Sequence, residues 1–155
     1  MGNNDQLPKL RRVTKELPAG FDALRAEART EGYLFVERLA TDWLADTTRF
    51  DREGEALLAA RVNGVLVGIG GLTIDPVVLD ALRMRRFYVR LAYRRSGIGR
   101  KMATALLEPA RSAGGYVTVN AAPASTAFWE SLGFVADARD GHTHVYQLHK
   151  RFLPK

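Results

Sequence analysis

One stretch limits the possible folds more than any other: between Leu82 and Ala113 a β-rich run, a glycine turn crowded with arginine and an amphipathic helix follow one another without a break. In Tyr93-Arg94-Arg95-Ser96-Gly97-Ile98-Gly99-Arg100-Lys101-Met102 the two glycines come where Ile98, Met102, Ala105 and Leu106 begin to recur at helical spacing. A strand that runs into a helix returns by a crossover, so the next strand, Tyr116 to Asn120, is expected to lie parallel to Leu82–Val89. Glycine lets backbone N–H groups approach a ligand without a Cβ in the way, and the first turn of a helix leaves such groups unpaired. With arginines alongside, the turn is predicted to cradle a phosphate.

The distribution of charge points the same way. A formal charge of +6 and a pI near 10.0 would suit nucleic acid, a membrane surface or a small polyanion. Eight of the 23 basic residues fall in residues 83–101, which contain no Asp or Glu, so the positive charge is concentrated on one site and favours the small polyanion. Residues 22–55 carry nine of the 17 acids against five arginines, a surface of opposite sign. The absence of cysteine excludes disulfides, thiolate metal sites and a cysteine acyl-enzyme. No apolar run approaches the roughly 18 residues of a membrane span, and MGNNDQLPKL lacks the apolar stretch of a signal peptide, so a soluble cytoplasmic protein is expected. The length suits one domain over residues 1–155, with 1–8 polar and frayed.

The remaining elements follow from pattern. Lys9 to Leu17 is predicted as a strand ended by Pro18. Helices follow, with Phe21, Leu24 and Ala28 on one face of the first and Val36, Leu39, Ala40, Trp43 and Leu44 on the second. Asn63-Gly64 is the two-residue signal of a tight hairpin between Ala56–Val62 and Val65–Ile74, and Asp140-Gly141 is a second between Phe134–Arg139 and His142–Leu148. Pro109 should kink or end the long helix of about Gly97–Ala113, and Gly133 should cap a helix near Ala124–Leu132. Gly68-Ile69-Gly70-Gly71-Leu72-Thr73 begins like a dinucleotide fingerprint but has Thr at its sixth position and lies within a strand, so close packing explains its glycines better.

Residues 83–99, a strand and short loop leading to R-x-x-G-x-G at a helix start, resemble the acetyl-CoA signature of the GNAT superfamily of N-acetyltransferases. Phe128-Trp129-Glu130-Ser131-Leu132-Gly133-Phe134 is similar to that family's F-Y-E-x-x-G-F segment, and the element order agrees over nearly the whole chain. The resemblance implies an α/β fold with a mixed, mostly antiparallel sheet of about seven strands, flanked by about four helices, with a splayed parallel strand pair at the cofactor site. It implies acetyl-CoA as donor and the primary amine of a small molecule as acceptor, joined by direct transfer in a ternary complex. No nucleic acid, membrane or metal is expected, and monomer and homodimer both stay open. Backbone groups of Phe87, Tyr88 and Val89 would hold the pantetheine arm, with the Val89 N–H serving the thioester oxygen. The pyrophosphate would lie over Arg94, Arg95, Ser96, Gly97, Ile98 and Gly99, with charge from Arg94 and Arg100.

Two of the family's catalytic features are missing. Where many members carry a Glu in the strand before the loop this chain has Arg83, and the tyrosine acid of the F-Y segment is replaced by Trp129, whose indole donates a hydrogen bond but releases no proton. Asn120 could orient the amine; His142 and His144, on what reads as an exposed hairpin, and more remotely Glu37 and Asp75, are the other candidates for proton handling. Two histidines without a third ligand make no metal site. The acidic early helices favour a cationic acceptor, and the missing Glu and Tyr keep open a binding module that holds acyl-CoA without efficient chemistry.

Overall fold

The computed structural model describes residues 7–148; of the stretch expected to fray, residues 1–6 lie outside it. The hairpin at Asn63-Gly64 sets the register of the sheet. Both residues adopt positive φ, 52° and 80°, as a turn matching the strands' twist requires, and β2 (Ala56–Val62) then pairs with β3 (Val65–Ile74) from Val62↔Val65 onward. β1 is shorter than expected, Lys9–Arg12: its ladder with β2 ends at Arg12↔Leu58, and one further bond, from the Val13 N–H to the Leu57 carbonyl at 2.8 Å, closes it. The chain then leaves the edge for α1 (Phe21–Thr30) and α2 (Phe35–Leu44). The expected apolar faces of both helices are buried, except that Leu44 at the end of α2 points into solvent.

Seven strands form one sheet in the order β1-β2-β3-β4-β5-β7-β6. The crossover from β4 (Ala81–Val89) through α3 (Ile98–Ala110) makes β5 (Tyr116–Val119) its parallel neighbour, and every other pair is antiparallel. Pro109 falls in the last turn of α3, which ends one residue later. A 3-10 turn at Pro123–Ser125 leads into the short α4 (Thr126–Ser131), Gly133 at φ 105° closes it, and β6 (Val135–Arg139) and β7 (His142–Gln147) complete the sheet about Asp140-Gly141. Among the described residues no helix is long and apolar enough to cross a membrane.

Two apolar layers sandwich the sheet. Phe21, Leu24, Val36 and Leu39 of α1 and α2 pack on Leu57, Ile69 and Tyr88, while Leu106 of α3 and Trp129 of α4 pack with Leu72, Leu82, Met84 and Val117 on the other face. One irregularity in β4 positions the site. Gly71 pairs with Arg85 and Ile69 with Tyr88, so Arg86 and Phe87 together face Gly70. Arg86 takes φ 58°, and this bulge inverts the side-chain alternation beyond it. Phe87 is thereby sent to the α3/α4 face, where its ring lies 2.5 Å from where a Gly70 Cβ would stand, and Tyr88 is sent to the α1/α2 face.

Candidate functional site

β4 and β5 are paired only from Ala81↔Tyr116 to Met84↔Val119. From Arg85 to Val89 the edge of β4 has no strand beside it, so the parallel pair opens toward the start of α3. The Arg90 N–H donates to the Val67 carbonyl at 2.8 Å, on the β3 side. By the alternation of an extended strand, the Val89 N–H and carbonyl face the open edge. Its carbonyl accepts the Arg94 Nε at 2.8 Å, which leaves the N–H to meet whatever enters the gap. An extended, amide-containing arm could add here as a strand does, through backbone bonds.

Beyond Val89 comes a 3-10 turn, Leu91–Tyr93, a feature the sequence pattern does not signal. Arg95 at φ 62° and Gly97 at φ 87° then bend the backbone into α3. The Lys101 N–H is bonded to the Gly97 carbonyl at 3.0 Å, so the preceding N–H groups of Ile98, Gly99 and Arg100 have no partner within the helix and present a partial positive charge. Ser96 turns its hydroxyl back onto the Tyr93 carbonyl. A Cβ on Gly97 would meet open space, whereas one on Gly99 would press the Phe128 ring at 3.1 Å; Gly99 serves the packing of α3 on α4.

The arginines of this segment divide into two sets. Arg94 turns from the loop to α1, where Glu31 accepts its Nη1 at 2.9 Å, and Arg90 is held by Glu27 at 3.0 Å. Glu27 also accepts the Leu91 N–H at 2.8 Å, and the Tyr88 hydroxyl donates to both acids. Bonds from Arg94 chiefly, opposed by burial, hold the Glu31 carboxyl below its usual range. Burial pushes Glu27 the other way, but its bonds from Leu91, Arg90 and Tyr88 outweigh that and lower it too. Burial first, then the two carboxylates, raise the Tyr88 hydroxyl far above its ordinary value, so it keeps its proton. Arg95 and Arg100 make no ion pair among the described residues; Arg100 Nη2 donates to the Ser131 Oγ at 3.1 Å. The loop's own surplus charge therefore comes from these two and Lys101, while Arg94 is neutralised and braces the loop against α1.

The candidates for proton transfer are distributed unevenly. Asn120 follows the last residue of β5, exposed at the end of the open pair. Trp129 is 3% exposed, with its ring centroid 4.9 to 5.2 Å from those of Phe87, Phe128 and Phe134 in edge-on contact. His142 and His144 are buried rather than exposed: Glu130 of α4 meets His144, and His142 lies 3.5 Å from Asp137 of β6. His144 lies 2.8 Å from both Glu130 Oε2 and the Thr143 Oγ1, and the latter also accepts the Ala121 N–H, tying the end of β5 to β7. Asp75 accepts bonds from the N–H groups of Val77 and Val78, the Thr118 hydroxyl and Arg83. These outweigh a strong opposing effect of burial and keep its carboxyl ionised below the usual range. Arg25 and Arg29 draw Glu37 down to about 2. Neither acid is a useful base near neutrality.

Four of the five acids that favoured a cationic acceptor are engaged as well: Glu27, Glu31, Glu37 and Asp42 each hold an arginine of their own chain. Sequence reasoning missed the α1 clamp, although Glu27 and Glu31 lie four residues apart on one helix face, and it missed the bulge, which no residue type announces. Among the described residues no group of three or more His, Cys, Asp or Glu could hold a metal ion.

Comparison with curated protein sequences finds no match. Among solved structures, a protein assigned as an acetyltransferase from Exiguobacterium sp. 255-15 superposes with a TM-score of 0.83 at 22% identity, covering 90% of this chain and 93% of its own. The GNAT family N-acetyltransferase YhbS of Escherichia coli, solved with CoA, gives 0.67 at 15% identity, covering 96% and 86%. An aminoglycoside 6'-N-acetyltransferase, also solved with coenzyme A, gives 0.66 at 14%, covering 92% and 98%. At such identities these likenesses speak for the fold. The family model described as the acetyltransferase (GNAT) domain matches residues 19–147, which takes in the clamp, the open strand pair and the glycine turn, and the chain belongs to the GNAT acetyltransferase family.

Proposed function

We propose that the protein transfers the acetyl group of acetyl-CoA to the primary amine of a small molecule, by direct attack within a ternary complex. The observation that carries this reading is the five-residue edge of β4 without a β5 partner, ending beside the unpaired N–H groups of α3. The pantetheine arm would bond to the backbone of this edge in the gap, at Val89 above all, since the alternation that turns Val89 outward turns the groups of Tyr88 to β3. Its pyrophosphate would accept N–H bonds from Arg95 to Gly99, with charge from Arg95 and Arg100. The Val89 N–H is suited to the thioester oxygen, where negative charge develops as the amine attacks, and a fixed donor there stabilises the transition state more than the ground state. The attacking nitrogen must arrive uncharged. Asp75 and Glu37 are too acidic to take its proton, so water at the open end of the pair, near Asn120, is the acceptor this reading supplies. The departing thiolate takes up a proton from water as well.

A second reading is favoured by one specific observation: Asp75 and Glu37 are committed to other bonds and Trp129 is packed among aromatic rings, an arrangement equally suited to binding acyl-CoA with little turnover. Release of free coenzyme A thiol from acetyl-CoA, measured across a panel of primary amines, separates the two. Amine-dependent release supports acetyl transfer; tight coenzyme A binding without release supports the binding module.

A further inference from the structure

Of the three arginines on β4, two are matched by carboxylates: Arg83 with Asp75 at 3.3 Å and Arg86 with Asp42 at 3.0 Å. Arg85, between them, has no hydrogen-bond or ion-pair partner among the described residues, although it is half-buried. Its position is defined by register. It lies directly across from Gly71, on the face where the Phe50 ring closes over that glycine, and so faces the α1/α2 layer. It is also the first residue of β4 beyond the last β5 partner, at the point where the strand pair opens.

Among the described residues no carboxylate is paired with it. The carboxylates whose charge reaches it, Asp42 and Asp75, already accept from the flanking arginines. Across the strand from Arg83, the buried Thr73 Oγ1 has no partner either. A half-buried guanidinium between two others is a costly arrangement unless an anion joins it. Burial foremost, then the charges of Arg86 and Arg83, lowers the affinity of Arg85 for its proton, as expected of a cation lacking its counter-charge.

Coenzyme A does not supply that anion in the arrangement proposed above, because its phosphates would lie beyond Val89, at least ~10 Å further along the strand. We propose that the acceptor carries, besides its amine, an anionic oxygen group, a carboxylate or a phosphate, and that Arg85 binds that group on the α2 side of the β4/β5 gap. The inference rests on the acetyl-transfer reading and narrows its substrate class. The amine and the anion are separated by several bonds, since one meets the thioester near Val89 and the other meets Arg85 earlier on the same strand. A planar guanidinium forms paired bonds with carboxylate or phosphate, which fixes the acceptor's orientation as well as its charge.

The test compares matched acceptors that differ only in the anion: 6-aminohexanoate with hexylamine, and glucosamine 6-phosphate with glucosamine. The wild-type protein is expected to favour an anionic member by kcat/KM, and which pair shows the preference tells carboxylate from phosphate. In Arg85→Met that selectivity ratio should fall about 10–100-fold, the usual worth of a hydrogen bond to a charged group, mostly through KM, while Arg85→Lys keeps part of it. Equal use of both members, or a preference that survives Arg85→Met, overturns the proposal and leaves acetyl transfer intact. If coenzyme A binds but no amine is acetylated, acetyl transfer fails instead. Calorimetry of 6-acetamidohexanoate and of N-acetylglucosamine 6-phosphate on the coenzyme A-saturated protein then decides the anion site: binding lost in Arg85→Met sustains it, and no binding to the wild type overturns it.

Discussion

Replacing Trp129 by tyrosine would restore a hydroxyl to the position where the family's acid is expected, and the packing around that residue predicts that catalysis will not gain from it. The indole is nearly sealed, in edge-on contact with Phe87, Phe128 and Phe134. Tyrosine fills less of that space; losing the equivalent of one to two buried methylenes costs ~1–1.5 kcal/mol. A hydroxyl enclosed by three aromatic rings without a partner adds ~1–3 kcal/mol. The total of ~2–4 kcal/mol corresponds to a fall in Tm of ~5–15 °C for a chain of this size. Trp129→Phe makes the same void without the hydroxyl, so the difference between the two melts isolates the polar cost. Thermal melts and steady-state kinetics on both variants should show Trp129→Tyr the less stable, with kcat at or below the wild-type value. A kcat raised about tenfold or more in Trp129→Tyr and not in Trp129→Phe would refute this reasoning, since a placed general acid contributes at least that much.

Three further outcomes are expected. Glu37 has a folded pKa of about 2 against an ordinary 4.5, so its stabilisation is complete above ~pH 5 and lost as pH falls through the folded value; urea midpoints of wild type and Glu37→Gln should differ at pH 7 and converge toward pH 2. Gly70→Ala would set a Cβ 2.5 Å from the Phe87 ring, and should cost ~1–3 kcal/mol in denaturant melts and raise KM for acetyl-CoA by disturbing the bulge, whereas unchanged values would show the ring moves freely. Arg95→Ala should weaken coenzyme A binding about threefold to tenfold at low salt, with the gap closing near 0.5 M as screening removes the charge effect; calorimetry at two ionic strengths checks it.

Much of the architecture was legible because its signals are local. Asn63-Gly64 and Asp140-Gly141 can hardly be anything but hairpin turns, and the glycine turn before Ile98 marks both a helix start and a crossover. The parallel neighbour followed from that connection. What stayed hidden depends on contacts between distant segments. The early acids read as a negatively charged surface, yet Glu27 and Glu31 meet Arg90 and Arg94, 63 residues later in the chain, and no local pattern names a partner at such a separation. His144 likewise looks exposed on a terminal hairpin until α4 brings Glu130 to it. Arg83, Arg85 and Arg86 are indistinguishable by type; only their partners tell the two structural ones from the third.

The bulge at Arg86 also bears on what kinds of genetic change this site can survive. Deletion of the Arg86 codon would take out the extra residue, leave Phe87 alone opposite Gly70 and keep Tyr88 paired with Ile69, so the strand beyond would hold its faces. Tyr88 would stay in the grip of Glu27 and Glu31 and Phe87 on Gly70, while the Arg86–Asp42 pair would be lost. A library that samples length as well as residue type should therefore recover this deletion among folded variants, whereas loss of a residue from β5, which pairs without a bulge on both sides, would turn its remaining residues to the opposite faces and should be absent.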